Sequence, residues 1–154
     1  VVPGGRPCGC GLRGCLERYS AGTALGVNGW ELAQFRPAYA ARIIELSGGD
    51  PEHISGKAVT AAAREGDPAA LECYEQLTRW LGVGLADMCA LLDPEVIVIA
   101  GGLAEAGDIL LAPTRKAFAA NLTAGTYRPT IPVVLAEGGQ EAGLVGAADL
   151  ARQP

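Results

Sequence analysis

The stretch Cys8-Gly9-Cys10-Gly11-Leu12-Arg13-Gly14-Cys15-Leu16-Glu17 organises the chain. Three of the five cysteines fall within eight residues, three glycines lie among them, and a carboxylate follows the last thiol by two positions. Glycine turns a backbone through positive φ at no steric cost, so a glycine-spaced loop can fold several thiolates onto one point. Tetrahedral zinc asks for that arrangement, with four ligands drawn from Cys and His. The stretch holds only three such donors, so a fourth has to come from elsewhere. Two other readings compete with zinc. A disulfide framework fits poorly, because five cysteines is an odd number and a 154-residue chain with 49% hydrophobic residues needs no staples. Free structural thiols are the third reading. A zinc-ribbon module for nucleic acid would add a second CxxC pair and a basic surface; the sequence has neither, and its formal net charge is −5.

The length is that of one ordinary domain and suffices for a real core. The chain opens on Val1 without a basic or strongly apolar leader. No run approaches the ~18 uninterrupted apolar residues of a membrane span. The most apolar region, residues 81–104, is broken by Asp87, Asp93, Pro94 and Glu95. Acidic balance and unpaired thiols point to a cytoplasmic protein. The start without Met leads to the expectation of a fragment.

After Glu17, apolar residues from Leu16 to Leu46 form an irregular stripe that Gly26, Gly29 and Pro37 are expected to interrupt, giving two helical pieces or a kink. Ser47-Gly48-Gly49-Asp50-Pro51 is a turn cluster, and Ser55 caps a short helix to about Arg64. Asp67-Pro68 pairs an N-cap acceptor with proline at the first helical position. From there Ala70, Tyr74, Leu77, Leu81, Leu85, Met88 and Leu92 mark one face of a long helix ending at Asp93-Pro94, a spine of ~38 Å carrying Cys73 and Cys89 as plain packing residues. Val96-Ile97-Val98-Ile99 reads as a buried strand. Gly101-Gly102 then turns into a helix from about Asp108 to Asn121, Pro132 to Leu135 forms a second strand, and Gly138-Gly139 leads into a last helix, Glu141 to Ala151. Strand–helix–strand–helix order predicts an α/β layer with parallel strands.

The pattern CxCGxxGCxE, filled by Cys8, Cys10, Gly11, Gly14, Cys15 and Glu17, resembles the signature of the ROK family of bacterial sugar kinases and repressors, nearest its glucokinase branch. The similarity continues through Glu17 to Gly22, Gly66 to Ala70, Pro94 to Gly107 and Ala142 to Ala148. It implies a portion of the actin-like, ribonuclease H-like sugar-kinase fold: residues 1–140 as the helix-rich C-terminal large domain with a zinc loop at 8–17, and residues 141–154 as a helix packing on an N-terminal lobe. It also implies a structural zinc on Cys8, Cys10 and Cys15, completed by the His of a Glu-x-Gly-His segment ahead of the cysteines. The single histidine here, His53, reads instead as a surface loop residue.

On residues alone, Glu17 is equally a first-turn Glu complementing a helix dipole or a carboxylate accepting hydrogen bonds from a sugar. The resemblance implies the second role. Gly101-Gly102 alone is a tight strand–helix connection; the resemblance implies that Gly101 and Gly102, with Leu103, line an adenosine pocket. The implied reaction is phosphorylation of the 6-hydroxyl of glucose by ATP with Mg²⁺. The family's Asp-x-Gly-Gly-Thr phosphate loop and Asn-Asp catalytic pair do not occur among these residues, so no catalytic residue is assigned and the chain alone is expected to be inactive. The rivals are a sugar-sensing ROK repressor and a kinase for another hexose such as N-acetylmannosamine or fructose. The expected partners are a hexose and ATP, with neither membrane nor nucleic acid for this segment. The full-length protein is expected to be a homo-oligomer, and the isolated chain to aggregate or dimerise through Leu144, Val145, Ala148 and Leu150.

Overall fold

Asp67 and Pro68 set where the longest helix begins. The Asp67 carboxylate accepts the Ala70 backbone N–H at 2.8 Å, and Pro68 occupies a position where its missing N–H costs nothing. The computed structural model describes residues 1–129, 131–137 and 141–152. In it α5 (Pro68–Leu92) runs unbroken for 25 residues and stops at Asp93, which turns left-handed at φ 44°. Ahead of it lie α1 (Glu17–Ser20), α2 (Gly22–Phe35), α3 (Ala41–Leu46) and α4 (Gly56–Arg64). The Ser55 hydroxyl accepts the Ala58 N–H at 3.4 Å and starts α4 as its sequence predicts. Beyond α5 come β1 (Ile97–Ile99), α6 (Asp108–Asn121), β2 (Val133–Leu135) and α7 (Ala142–Leu150).

The two strands pair in parallel, Ile97 opposite Val133 and Ile99 opposite Leu135, with α6 as the crossover. Two core clusters, bridged by partly buried Leu81, join them to the helices. Leu25, Ile43, Val59, Tyr74, Leu77 and Leu110 fill the part between α2, α3, α4, α5 and α6. Leu85, Cys89, Phe118 and Val133 fill the part under the strands. Leu81 packs against both. Cys73 and Cys89 are buried packing residues, as expected.

Three expectations are corrected. Gly26 and Gly29 do not interrupt α2; both are buried inside it. A Cβ on Gly26 would stand 3.1 Å from the Gly56 nitrogen, and one on Gly29 2.7 Å from a Val59 methyl, so these glycines let α2 and α4 approach each other. The break comes after Phe35, next to Pro37. Met88 and Leu92 do not continue the buried face of α5 but are exposed. The stripe holds through Leu85, and beyond it Ala86 and Cys89 are buried in place of Met88 and Leu92. β1 is also not buried on both sides: Ile97 and Ile99 face the core, whereas Val98 is 56% exposed. The Gly138-Gly139 turn lies outside the described residues. The last helix spans Ala142–Leu150, slightly shorter than expected, with Leu144, Val145 and Leu150 exposed. Among the described residues, no helix is long and apolar enough to cross a membrane.

Candidate metal centre and adjoining cleft

The cysteines sit on a hairpin that glycine makes possible. Pro7 and Arg13 form an antiparallel bridge. The Cys8 N–H donates to Leu12 O at 2.9 Å, the Gly11 N–H to Cys8 O at 3.1 Å, and the Gly14 N–H to Arg6 O at 2.9 Å. Gly14 has φ +77°, and a Cβ there would run into the Val2 carbonyl, so neither the turn nor the contact admits another residue.

At the hairpin tip, the Cys8, Cys10 and Cys15 sulfurs lie within 4.8 Å of one another, with Cys10 Sγ and Cys15 Sγ 3.5 Å apart. These distances are far beyond a disulfide bond of ~2.05 Å, and all five cysteines are free. Around a tetrahedral zinc, with Zn–S of ~2.3 Å, sulfurs sit about 3.8 Å apart. The donor set and its spacing therefore fit one thiophilic cation. No other His, Cys, Asp or Glu joins the group among the described residues. His53 is exposed, with Nδ1 3.4 Å from an Asp50 carboxylate oxygen, as expected of a surface loop residue. A backbone hydrogen bond from Leu12 holds the Cys10 thiol below its ordinary range, while hydrogen bonding with Cys10 pushes Cys15 up to about 11. A bound cation would deprotonate such thiols outright.

Glu17 opens α1, two residues beyond Cys15. It is exposed, and its carboxylate makes no side-chain hydrogen bond or ion pair among the described residues. One turn later, Ser20 and Ala21 reach the rim of an open cleft of about 1330 Å³. Glu17 itself does not line that cleft.

The cleft brings together three distant parts of the chain: the start of α2 with Trp30, the start of α4 with Lys57 and Thr60, and the turn after β1 with Gly102 and Leu103. Gly101 forms the bend behind that turn, at φ +88°, without facing the cleft. The walls are fixed by polar contacts. Trp30 Nε1 donates to Glu52 Oε1 at 2.9 Å. The Thr60 hydroxyl donates to Gly56 O at 2.7 Å and lies 2.8 Å from the Tyr74 hydroxyl. Arg64 Nη2 donates across to Glu105 O at 2.9 Å. A cleft this size with a mixed apolar and polar lining suits a small organic ligand. Gly102 and Leu103, singled out in the sequence, line this cleft, and so do Trp30, Lys57, Thr60 and Arg64, which the sequence did not single out. For Lys57, Thr60 and Arg64 the only sequence signal was the Ser55 cap, which places the start of α4 but not what it faces.

The model of the ROK family matches residues 1–154. A glucokinase from Streptomyces coelicolor is 45% identical over 154 residues, which is 100% of this chain and 49% of that protein. The crystal structure of a ROK family glucokinase from Streptomyces griseus in complex with glucose and AMPPNP superposes with a TM-score of 0.95 at 45% identity, covering 100% of this chain and 49% of that one. The crystal structure of a ROK family transcriptional regulator, a homologue of the E. coli MLC protein, matches with a TM-score of 0.61 at 30% identity, over 88% of this chain and 32% of that one. The chain thus spans about half the length of the curated glucokinase relative.

Proposed function

The chain belongs to the ROK family, and from that premise we propose that it is the C-terminal portion of an ATP-dependent glucokinase. Its fold is a helix-rich part of the actin-like sugar-kinase architecture. The proposed reaction moves the γ-phosphoryl group of Mg·ATP to the 6-hydroxyl of glucose. Glu17 accepts hydrogen bonds from sugar hydroxyls, which a charged carboxylate does more strongly than a neutral acceptor. The cleft holds the adenosine part of ATP: Gly102 and Leu103 supply one wall, and Gly101 supplies the bend that lets the backbone approach. Cys8, Cys10 and Cys15 hold a structural zinc with a fourth donor from outside residues 1–154. When bound, zinc supplies a cross-link and no open position for chemistry. The exposed faces of β1 and α7 are proposed to be covered by the rest of the kinase. The proposed setting is the cytoplasm.

One observation carries this reading. The thiols converge two residues before a free carboxylate, in a chain that follows a glucose- and AMPPNP-bound glucokinase at a TM-score of 0.95. The test is glucose- and ATP-dependent ADP release by the full-length gene product, with N-acetylmannosamine and fructose as competing substrates and residues 1–154 alone beside it. Glucose turnover by the full-length protein and none by the isolated chain is expected. Preference for another hexose would move the assignment within the family. Absence of turnover with every hexose, together with sugar-dependent DNA binding, would replace it with a sugar-sensing regulator.

A further inference from the structure

Arg6 stands just ahead of the thiol hairpin and reaches three other parts of the fold. Its Nη1 donates to Arg18 O at 3.2 Å, and its Nη2 donates to Asn28 Oδ1 at 3.0 Å and to Glu31 Oε2 at 2.7 Å. Its backbone N–H donates to the Tyr19 hydroxyl at 2.7 Å. The guanidinium carbon lies 5.1 Å from the Tyr19 ring centroid, and the Tyr19 ring packs at 5.4 Å against Trp80 of α5. Asn28 is buried and passes the link on, donating from Nδ2 to Cys73 O of α5 at 3.3 Å. One planar fork thus ties the hairpin to α1, to α2 and, through Asn28, to the spine.

The helix that gains most from this is α1. It is four residues long and has no side-chain cap. A single turn has no stability of its own, since nucleation costs more than one turn of hydrogen bonds returns. Its direction is therefore set by whatever holds its residues. Arg18 and Tyr19, the two residues after Glu17, are both held by Arg6. The thiols fix the chain on the other side of Glu17, at Cys15. We infer that Arg6 is a positioning residue for sugar binding: it aims the Glu17 carboxylate by clamping the turn that carries it, and it does so independently of the metal. This rests on the glucokinase reading. A lysine could keep the ion pair with Glu31 but, lacking the fork, could not also serve Arg18 O and Asn28.

The test uses the full-length enzyme with Arg6→Ala, Arg6→Lys and Glu31→Ala, reading KM for glucose, KM for ATP, kcat and bound zinc. Both Arg6 variants are expected to raise the glucose KM about tenfold or more, with the ATP KM within about twofold and zinc content unchanged, the pattern of lost ground-state binding at one substrate. Glu31→Ala leaves the contacts to Arg18 and Tyr19 in place and is expected to stay near the wild-type glucose KM. If Arg6→Ala does not fold, Arg6→Lys carries the same reading. Equal rises in both KM values, a rise that comes with loss of zinc, or unchanged kinetics with only a lowered Tm would each overturn the inference. Failure of the unmodified enzyme to turn over glucose would instead overturn the reading it rests on.

Discussion

The thiol hairpin and the helical body hold together by different means. In the hairpin, a short antiparallel bridge and a few backbone hydrogen bonds close a loop whose tip is half-buried or exposed. In the body, Leu25, Val59, Leu77 and Leu110 are fully removed from solvent, and close packing holds the shape. The hairpin can specify its shape through chemistry at its tip, so a few residue types at fixed spacing suffice. The body specifies its shape through burial, which depends on every neighbour. Chemical damage to one region should therefore leave the other standing.

The sharpest test of that separation is Cys15→Ser. In finger peptides, whose whole fold is the metal loop, structural zinc is worth ~10–16 kcal/mol; in this chain that stabilisation would belong to the hairpin. On the proposed zinc site, Cys15→Ser is expected to abolish zinc uptake, while the far-UV circular dichroism of the helices persists. Collapse of the helical signal together with the metal would show that the two regions are one unit. Leu77→Ala inverts the test. Leu77 is fully buried, and truncation there costs about 2–5 kcal/mol. A lower denaturation midpoint with undiminished zinc uptake is the expected result in chelator competition.

Smaller perturbations probe the body alone. Asp67→Ala removes the cap of α5 and is expected to cost about 1 kcal/mol in equilibrium unfolding. A loss within error would mean that packing alone fixes where that helix starts. Burial pushes the Cys73 thiol up to about 12 from an ordinary 9.0. Below pH 9 both folded and unfolded chains keep this proton, and stability is unaffected. As pH rises from 9 towards 12 the unfolded chain loses it first, so stability should fall. Cys73→Ala is expected to flatten that alkaline decline relative to wild type in denaturation series at about pH 8 and pH 10; parallel declines would show that other groups cause it.

The features legible in advance were those with a local cause. Ser55 and Asp67-Pro68 start α4 and α5 because caps act within one turn. Val133 and Ile97 fall in strands because short β-branched runs suit a pleated surface. The features that were misread depend on neighbours. Gly26 and Gly29 carry the same backbone liberty as glycines that break helices, and only the nearness of α4 turns them into packing sites. Met88 and Leu92 continue the apolar stripe, but α6 and the strands cover Ala86 and Cys89 in their place. In the candidate site, the thiol cluster was readable because ligand spacing is encoded in one stretch. The cleft was not, since Trp30, Thr60 and Leu103 lie far apart along the chain and meet only through packing.

By itself, the amino-acid order determined the hairpin: glycines between nearby cysteines bring three thiols to one point within ten residues. It also determined where α4 and α5 begin, since a side-chain oxygen or a proline acts on the nearest backbone. Tertiary structure alone decided which faces are buried, which walls meet around the cleft, and how Arg6 reaches α1 and α2. Those contacts join residues whose separation along the chain carries no record of their distance in space.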